Sequence, residues 1–160
     1  MRYGSWTPLC NLLTAAIIAS MTSAAAAQTT PPPAQAGFVK NVRGDVHLLN
    51  ASGAMRTARV GDEVAPTERI LTGEDSAASL VLRDGTVLVL GPSSRLEVKA
   101  FSFNPTEQDG SLLVSLLRGS LRMISGLIAK ERPEAVRVET QTATIGIRGT
   151  DFIVQADPQP

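Results

Sequence analysis

An apolar run closed by a turn containing Arg, Gly and Thr occurs twice in this chain, first across Ala78–Leu90 and again across Ala143–Val154. The earlier copy places Asp84-Gly85 between two apolar runs, a dipeptide whose ready access to positive φ makes it a strong β-hairpin signal. The later copy carries Ile147-Arg148-Gly149-Thr150 ahead of Asp151-Phe152-Ile153-Val154. Both read as one β-hairpin used twice, and repetition at long period predicts stacked or pseudo-symmetric β units. The pattern points to architecture and to partner binding, because it contains no recognisable catalytic arrangement.

The rest of the chain from Gly37 onward supports an all-β reading. Short apolar alternations follow one another at close spacing between turn residues, as in sandwiches, barrels and solenoids. Strands are expected at Phe38–Val42 and Asp45–Leu49 around Arg43-Gly44, at Arg69–Thr72, at Arg95–Phe103 and at Val136–Glu139. Asn50-Ala51-Ser52-Gly53 and Gly73-Glu74-Asp75 carry turn chemistry. Leu80 and Leu82 share one face with period two, whereas Val87-Leu88-Val89-Leu90 is apolar on both faces and predicts a central or covered strand. In Arg95–Phe103, Leu96, Val98 and Ala100 are expected on one face. Asn104–Gly110 reads as a polar loop.

Ser111–Lys130 fits two periods, since Leu113, Leu116, Leu117, Leu121, Ile124 and Ile128 satisfy a helical stripe as well as strand alternation. Gly119 and Gly126 argue against an unbroken helix, at about 1 kcal/mol each relative to alanine. Arg118-Gly119-Ser120-Leu121 also repeats Arg43-Gly44-Asp45-Val46. Two strands are expected here, with room for a helical turn near Leu127. The expected fold is all-β: a single domain of short strands and hairpins, solenoid-like or sandwich-like, with two pseudo-repeated halves.

The N-terminus reads as an export signal: Arg2 supplies a positive start, Leu12–Met21 is apolar, and Ala24–Ala27 is a small-residue cleavage site. The apolar stretch is short and Ala-rich against the about 20 strongly apolar residues of a bilayer span. The expected organisation is therefore a signal peptide at 1–27, a Pro-rich linker at 28–36, a β domain at 37–156 and a tail at 157–160. Export makes the protein periplasmic or secreted, with no stable membrane span after cleavage. Cleavage would remove the single Cys, Trp and Tyr, leaving no disulfide, so stability must come from the core. Loss of Arg2 leaves 14 basic and 15 acidic side chains, a net charge of −1 that gives nucleic acid no strong attraction. Few aromatics remain to stack bases or sugars, and Phe38, Phe101, Phe103 and Phe152 are expected in the core.

Arg118-Gly119-Ser120-Leu121-Arg122, Ser125-Gly126-Leu127-Ile128, Val138-Glu139-Thr140 and Ala143-Thr144-Ile145-Gly146-Ile147-Arg148-Gly149-Thr150-Asp151-Phe152 together resemble the FecR domain family. Gly44, Gly61-Asp62, Thr72 and Leu82-Arg83-Asp84-Gly85-Thr86 are similar to the first half of that family's pattern. The resemblance implies an all-β periplasmic domain without enzymatic activity that takes part in signal reception across the envelope. Relatives in iron-transport regulation combine a cytoplasmic segment, a membrane helix and a periplasmic region. This chain instead looks like a stand-alone exported FecR-domain protein.

No catalytic or cofactor-binding residues are expected. His47, the single histidine, sits in the alternation Val46-His47-Leu48 and reads as an ordinary strand residue. Asp62, Glu63, Glu74 and Asp75 lack the alternating spacing of a calcium loop, and Gly146–Gly149 lacks the GxGxxG pattern or lysine of a phosphate cradle. No metal site is expected. The partner-binding candidates are Arg83, Arg148, Thr150, Asp151 and Phe152, with the two arginines either gripping an acidic partner group, or pairing locally with carboxylates such as Asp84 or Asp151 or covering apolar surface with their stems. The expected partner is an envelope protein or peptide such as a receptor or sensor, docked by strand addition along Thr150–Gln155. Self-association as a structural scaffold of the envelope is the alternative.

Overall fold

One long strand organises the molecule by belonging to two sheets at once. The computed structural model describes residues 35–147 and 149–156. In chain order the elements are β1 (Gly37–Arg43), β2 (Val46–Leu49), β3 (Met55–Thr57), β4 (Glu63–Val64), β5 (Arg69–Thr72), β6 (Ala77–Leu82), β7 (Val87–Leu90), β8 (Arg95–Asn104), β9 (Asp109–Ile124), α1 (Leu127–Glu131), β10 (Val136–Glu139), β11 (Thr144–Gly146) and β12 (Asp151–Ala156). A single 3-10 turn, Pro133–Ala135, precedes β10. The all-β expectation holds.

The C-terminal part of β9 lies between β7 and β12, giving one wing in the order β4-β1-β6-β7-β9-β12. Its N-terminal part lies between β8 and β10, giving a second wing in the order β3-β2-β5-β8-β9-β10-β11. All pairings are antiparallel except β9 with β10. The wings share a continuous core: Leu80, Leu88, Leu121 and Met123 from the first meet Leu48, Ile70, Leu96 and Leu116 from the second, all fully buried. Strands β6 and β7 form the expected hairpin, and β7 is central, flanked by β6 and β9.

The two Arg-Gly repeats are the places where the chain crosses between wings. At Gly44 (φ 72°) the chain leaves β1 for β2, and at Gly119 (φ 89°) β9 passes from one wing to the other. Each crossing rests on a serine of a tight loop. The Asp45 amide donates to Ser76 Oγ at 2.7 Å, and the Ser120 amide donates to Ser94 Oγ at 3.0 Å. In return the Gly73 amide donates to Asp45 O at 2.9 Å and the Gly91 amide to Ser120 O at 3.1 Å. Thr72 Oγ1 ties the two loops together, donating to Gly91 O at 2.7 Å and accepting the Ser94 amide at 2.8 Å. A Cβ on Gly44 would stand 2.5 Å from Ser76 Oγ, and one on Gly119 would stand 2.5 Å from Ser94 Cα. Glycine is required at both by close approach as well as by positive φ.

Several local expectations differ from the structure. Ser111–Ile124 belongs to one continuous strand that changes sheets at Gly119, because a positive-φ glycine bends a strand without ending it. The later repeat is not a hairpin: β11 pairs with β10 while β12 pairs with β9. A register shift between Val98 and Ala100 turns Ala100 outward and brings Phe101 and Phe103 against the core. Phe38 is 44% exposed on the outer face of the first wing, whereas Phe152 packs at the core margin. Residues 1–34 and 157–160, with the signal, nearly all of the linker and the tail, lie outside the described residues. Ala36 is fully buried, its amide on Val64 O at 2.8 Å and its carbonyl accepting the Arg83 amide at 2.9 Å.

Candidate partner-binding surface

The turn that follows β6 is built by its own side chains. Asp84 Oδ1 accepts the Thr86 amide at 3.0 Å, and Asp84 Oδ2 accepts Thr86 Oγ1 at 2.6 Å. This is the Asx-turn chemistry that favours Asp at such positions. Both side chains are buried, at 1% and 0% exposure. Their hydrogen bonds extend to a distant segment, since the Gly126 amide donates to Thr86 Oγ1 at 3.0 Å and the Leu127 amide to Asp84 O at 2.8 Å.

Ser125, next along the chain, grips the other turn. Its hydroxyl donates to Gly149 O at 3.0 Å, and its amide donates to Thr150 O at 2.9 Å. Ser125-Gly126 thus ties both motif turns to one point at the end of β9. Thr150, Asp151 and Phe152 follow directly as the start of β12, where Asp151 opposes Ile124 and Phe152 opposes Met123. The Arg83 turn and the Thr150–Phe152 segment are therefore brought together through this junction, while Arg148 lies outside the described residues.

Arg83 is exposed and makes no ion pair among the described residues, because the Asp84 carboxylate is turned inward onto Thr86. Local pairing of Arg83 with Asp84 is thereby corrected. Asp151 is instead held by Arg122, whose Nε donates to Oδ1 at 3.0 Å and whose Nη2 donates to Oδ2 at 2.6 Å. This two-pronged hydrogen bond, reinforced by the guanidinium charge, holds the Asp151 carboxyl below its ordinary value despite partial desolvation, and raises Arg122. Arg122 escaped the sequence reading because only the register of β9 with β12 places it beside Asp151.

Strand β12 pairs with β9 on one side and with no strand on the other among the described residues. Val154 is buried, and Ile153 is 67% exposed on the opposite face. Cross-strand register also aligns Phe38, Val81, Val87 and Ile124 in a half-exposed apolar row over the outer face of this wing. His47 lies 3.0 Å from Asp45 on β2. Asp62 caps its own turn by accepting the Arg59 amide at 2.9 Å and Arg56 at 3.1 Å. Among the described residues no three His, Cys, Asp or Glu side chains gather to hold a metal, and no helix is long and apolar enough to cross a membrane.

The family model described as FecR protein matches residues 68–160. It includes Arg83, both glycine-containing motif turns and β12; Gly44 and Gly61-Asp62 precede it. No curated protein matches. Among solved structures, a chain titled "Cell surface anchoring domain" is similar at 30% identity, over 39% of this chain and 83% of its own length, with a TM-score of 0.38.

Proposed function

This chain belongs to the FecR family, a family of envelope regulatory and signalling proteins, and on that premise we propose that it is an exported, non-enzymatic module that receives a partner protein or peptide along the edge of β12. In this reading residues 1–27 are a cleaved signal, 28–36 a linker, 37–156 the binding domain and 157–160 a tail, and the protein works in the periplasm or outside the cell. The observation that supports the reading is the side of β12 that pairs with no strand among the described residues. An unpaired edge offers main-chain donors and acceptors to an added strand, and flanking side chains supply selectivity. In this reading Arg83, Arg148, Thr150, Asp151 and Phe152 are the residues that supply it.

The test is crosslinking in the native envelope with wild-type protein and an Ile153→Lys variant, which charges the exposed face of β12 and leaves the core intact. A receptor or sensor recovered with wild type and lost with Ile153→Lys supports the reading. Equal recovery with both removes β12 from the interface. The row Phe38, Val81, Val87 and Ile124 favours a second reading, self-association as an envelope scaffold, because it leaves apolar surface on an outer sheet face. That reading requires concentration-dependent oligomers of the purified protein, weakened by Phe38→Ser.

A further inference from the structure

Arg95 on β8 and Arg118 on β9 stand directly opposite one another in the ladder. Like charges in that relation are unfavourable in a sheet, yet both side chains are exposed and neither makes an ion pair among the described residues. Glu97, the carboxylate that alternates onto the same face of β8, is already engaged by Arg69 at 2.8 Å. Arg118 lines two shallow clefts, and Arg95 lines the first of them. One, of about 230 Å³, is lined by both arginines but also by Glu74. The other, of about 310 Å³, is lined by Pro92, Ser93, Arg118, Gly119, Ser120, Gln155 and Ala156, with no acidic residue.

The second cleft has a built character. Its lining includes the Gly119 crossing, and Ser93 is held there at φ 50°, an unusual value for a non-glycine residue. The Ser93 and Ser120 hydroxyls make no hydrogen bond among the described residues, and both serines line the cleft with Arg118. Gln155 and Ala156 are the last residues of β12, so the cleft lies at the end of the edge that is unpaired among the described residues.

From this geometry we infer that the Arg118 cleft, backed by the charge of Arg95, is a subsite for a carboxylate side chain, and that the polypeptide added along β12 is acidic at the end beside Ala156. A guanidinium fork with neighbouring hydroxyl donors matches a carboxylate in shape and charge. The inference rests on the strand-addition reading and names the chemistry of its partner.

The test is an amide-resolved NMR titration of the purified protein with two synthetic peptides sharing a Thr-Val-Thr-Val-Thr strand, one flanked at both ends by Glu-Glu and the other by Lys-Lys. Inorganic phosphate is the third probe. The expected result is that the Glu-flanked peptide binds about fivefold more tightly than the Lys-flanked one, the scale of one or two exposed ion pairs. It should move the amides of Ser93, Gly119 and Ser120 together with those of β12. Arg118→Glu should reverse the preference, and Arg95→Gln should weaken it, with unchanged spectral dispersion elsewhere showing that each variant is folded. If both peptides bind β12 equally and leave Gly119 and Ser120 unmoved, strand addition stands and the acidic subsite is overturned. If phosphate alone moves the cleft amides, the site takes a free anion and both the peptide assignment and strand addition fall. Silence from all three probes overturns the subsite.

Discussion

Ser94 and Ser120 hold each other at the point where β9 changes sheets: the Ser120 amide donates to Ser94 Oγ at 3.0 Å, and that hydroxyl lies 3.2 Å from Ser120 O. The first of these bonds repeats at Asp45 and Ser76, where the Asp45 amide donates to Ser76 Oγ at 2.7 Å. In both, a serine hydroxyl takes the amide that follows a positive-φ glycine, satisfying a group that the bend removes from the sheet ladder. Ser94 is 2% and Ser76 4% exposed, so water does not replace these hydroxyls.

Replacing Ser94 by alanine should therefore cost about 1–3 kcal/mol, the penalty of an unpaired buried amide. Gly119→Ala should cost about 2 kcal/mol or more, since it adds backbone strain to contact with Ser94. Urea unfolding followed by circular dichroism measures both. The double variant should fall short of additivity because both changes disrupt one contact.

The Asp84–Thr86 turn makes a second prediction. Thr86→Val keeps the shape of the side chain but removes the donor to the Asp84 carboxylate and the acceptor of the Gly126 amide. With both partners buried, the loss should be about 3 kcal/mol. Thr86→Ser retains the hydroxyl and should lose about 1 kcal/mol for the missing methyl group. Denaturation midpoints of the two variants distinguish a polar lock from simple packing.

What was legible in the sequence was local. Asp84-Gly85 marked its hairpin because the turn is made by adjacent residues, and Val87–Leu90 marked a central strand because both its faces are apolar. The second motif carries the same Arg, Gly and Thr, yet β11 and β12 part company. The Gly149 and Thr150 carbonyls are taken by Ser125, a partner that local pattern does not specify. The same reason hid Arg122–Asp151 and Arg95–Arg118, which exist only through strand register. Ala100 was misplaced by one register shift, because a single extra residue exchanges the two faces of everything beyond it. The motif singled out Thr150, Asp151 and Phe152 as candidates from adjacent residues, whereas Ile124 and Met123, which face Asp151 and Phe152 across the ladder, follow only from strand register.

The Arg122–Asp151 pair makes the contact of β12 with β9 sensitive to acid. The folded state holds the Asp151 carboxyl below its ordinary value, so its contribution is present above the unfolded pKa, near 4, and is lost as pH falls through the depressed folded value. Amide exchange of Thr150–Phe152 should therefore rise as the solution is taken below pH 4, after correction for intrinsic rates. Asp151→Asn should raise it at neutral pH and flatten the acid response. Both residues are solvent-exposed, so high salt should reproduce part of the Asp151→Asn effect.

Leu121 and Ile153 provide the last prediction, because they are close in the β9–β12 ladder and opposite in environment. Leu121 is fully buried and stands between Leu90 of β7 and Val154 of β12, at the position where the crossing strand knits the first wing together. Leu121→Ala should cost about 2–5 kcal/mol through lost burial and a cavity that the surrounding strands cannot close. Ile153 is 67% exposed, and Ile153→Ala should change stability by less than about 0.5 kcal/mol. The two variants, unfolded under the same conditions, separate the side chain of β9 that holds the fold from the side chain of β12 that the core does not use. A large loss at Ile153 would show that this side chain is covered in solution, which would withdraw the outer face of β12 from the binding surface.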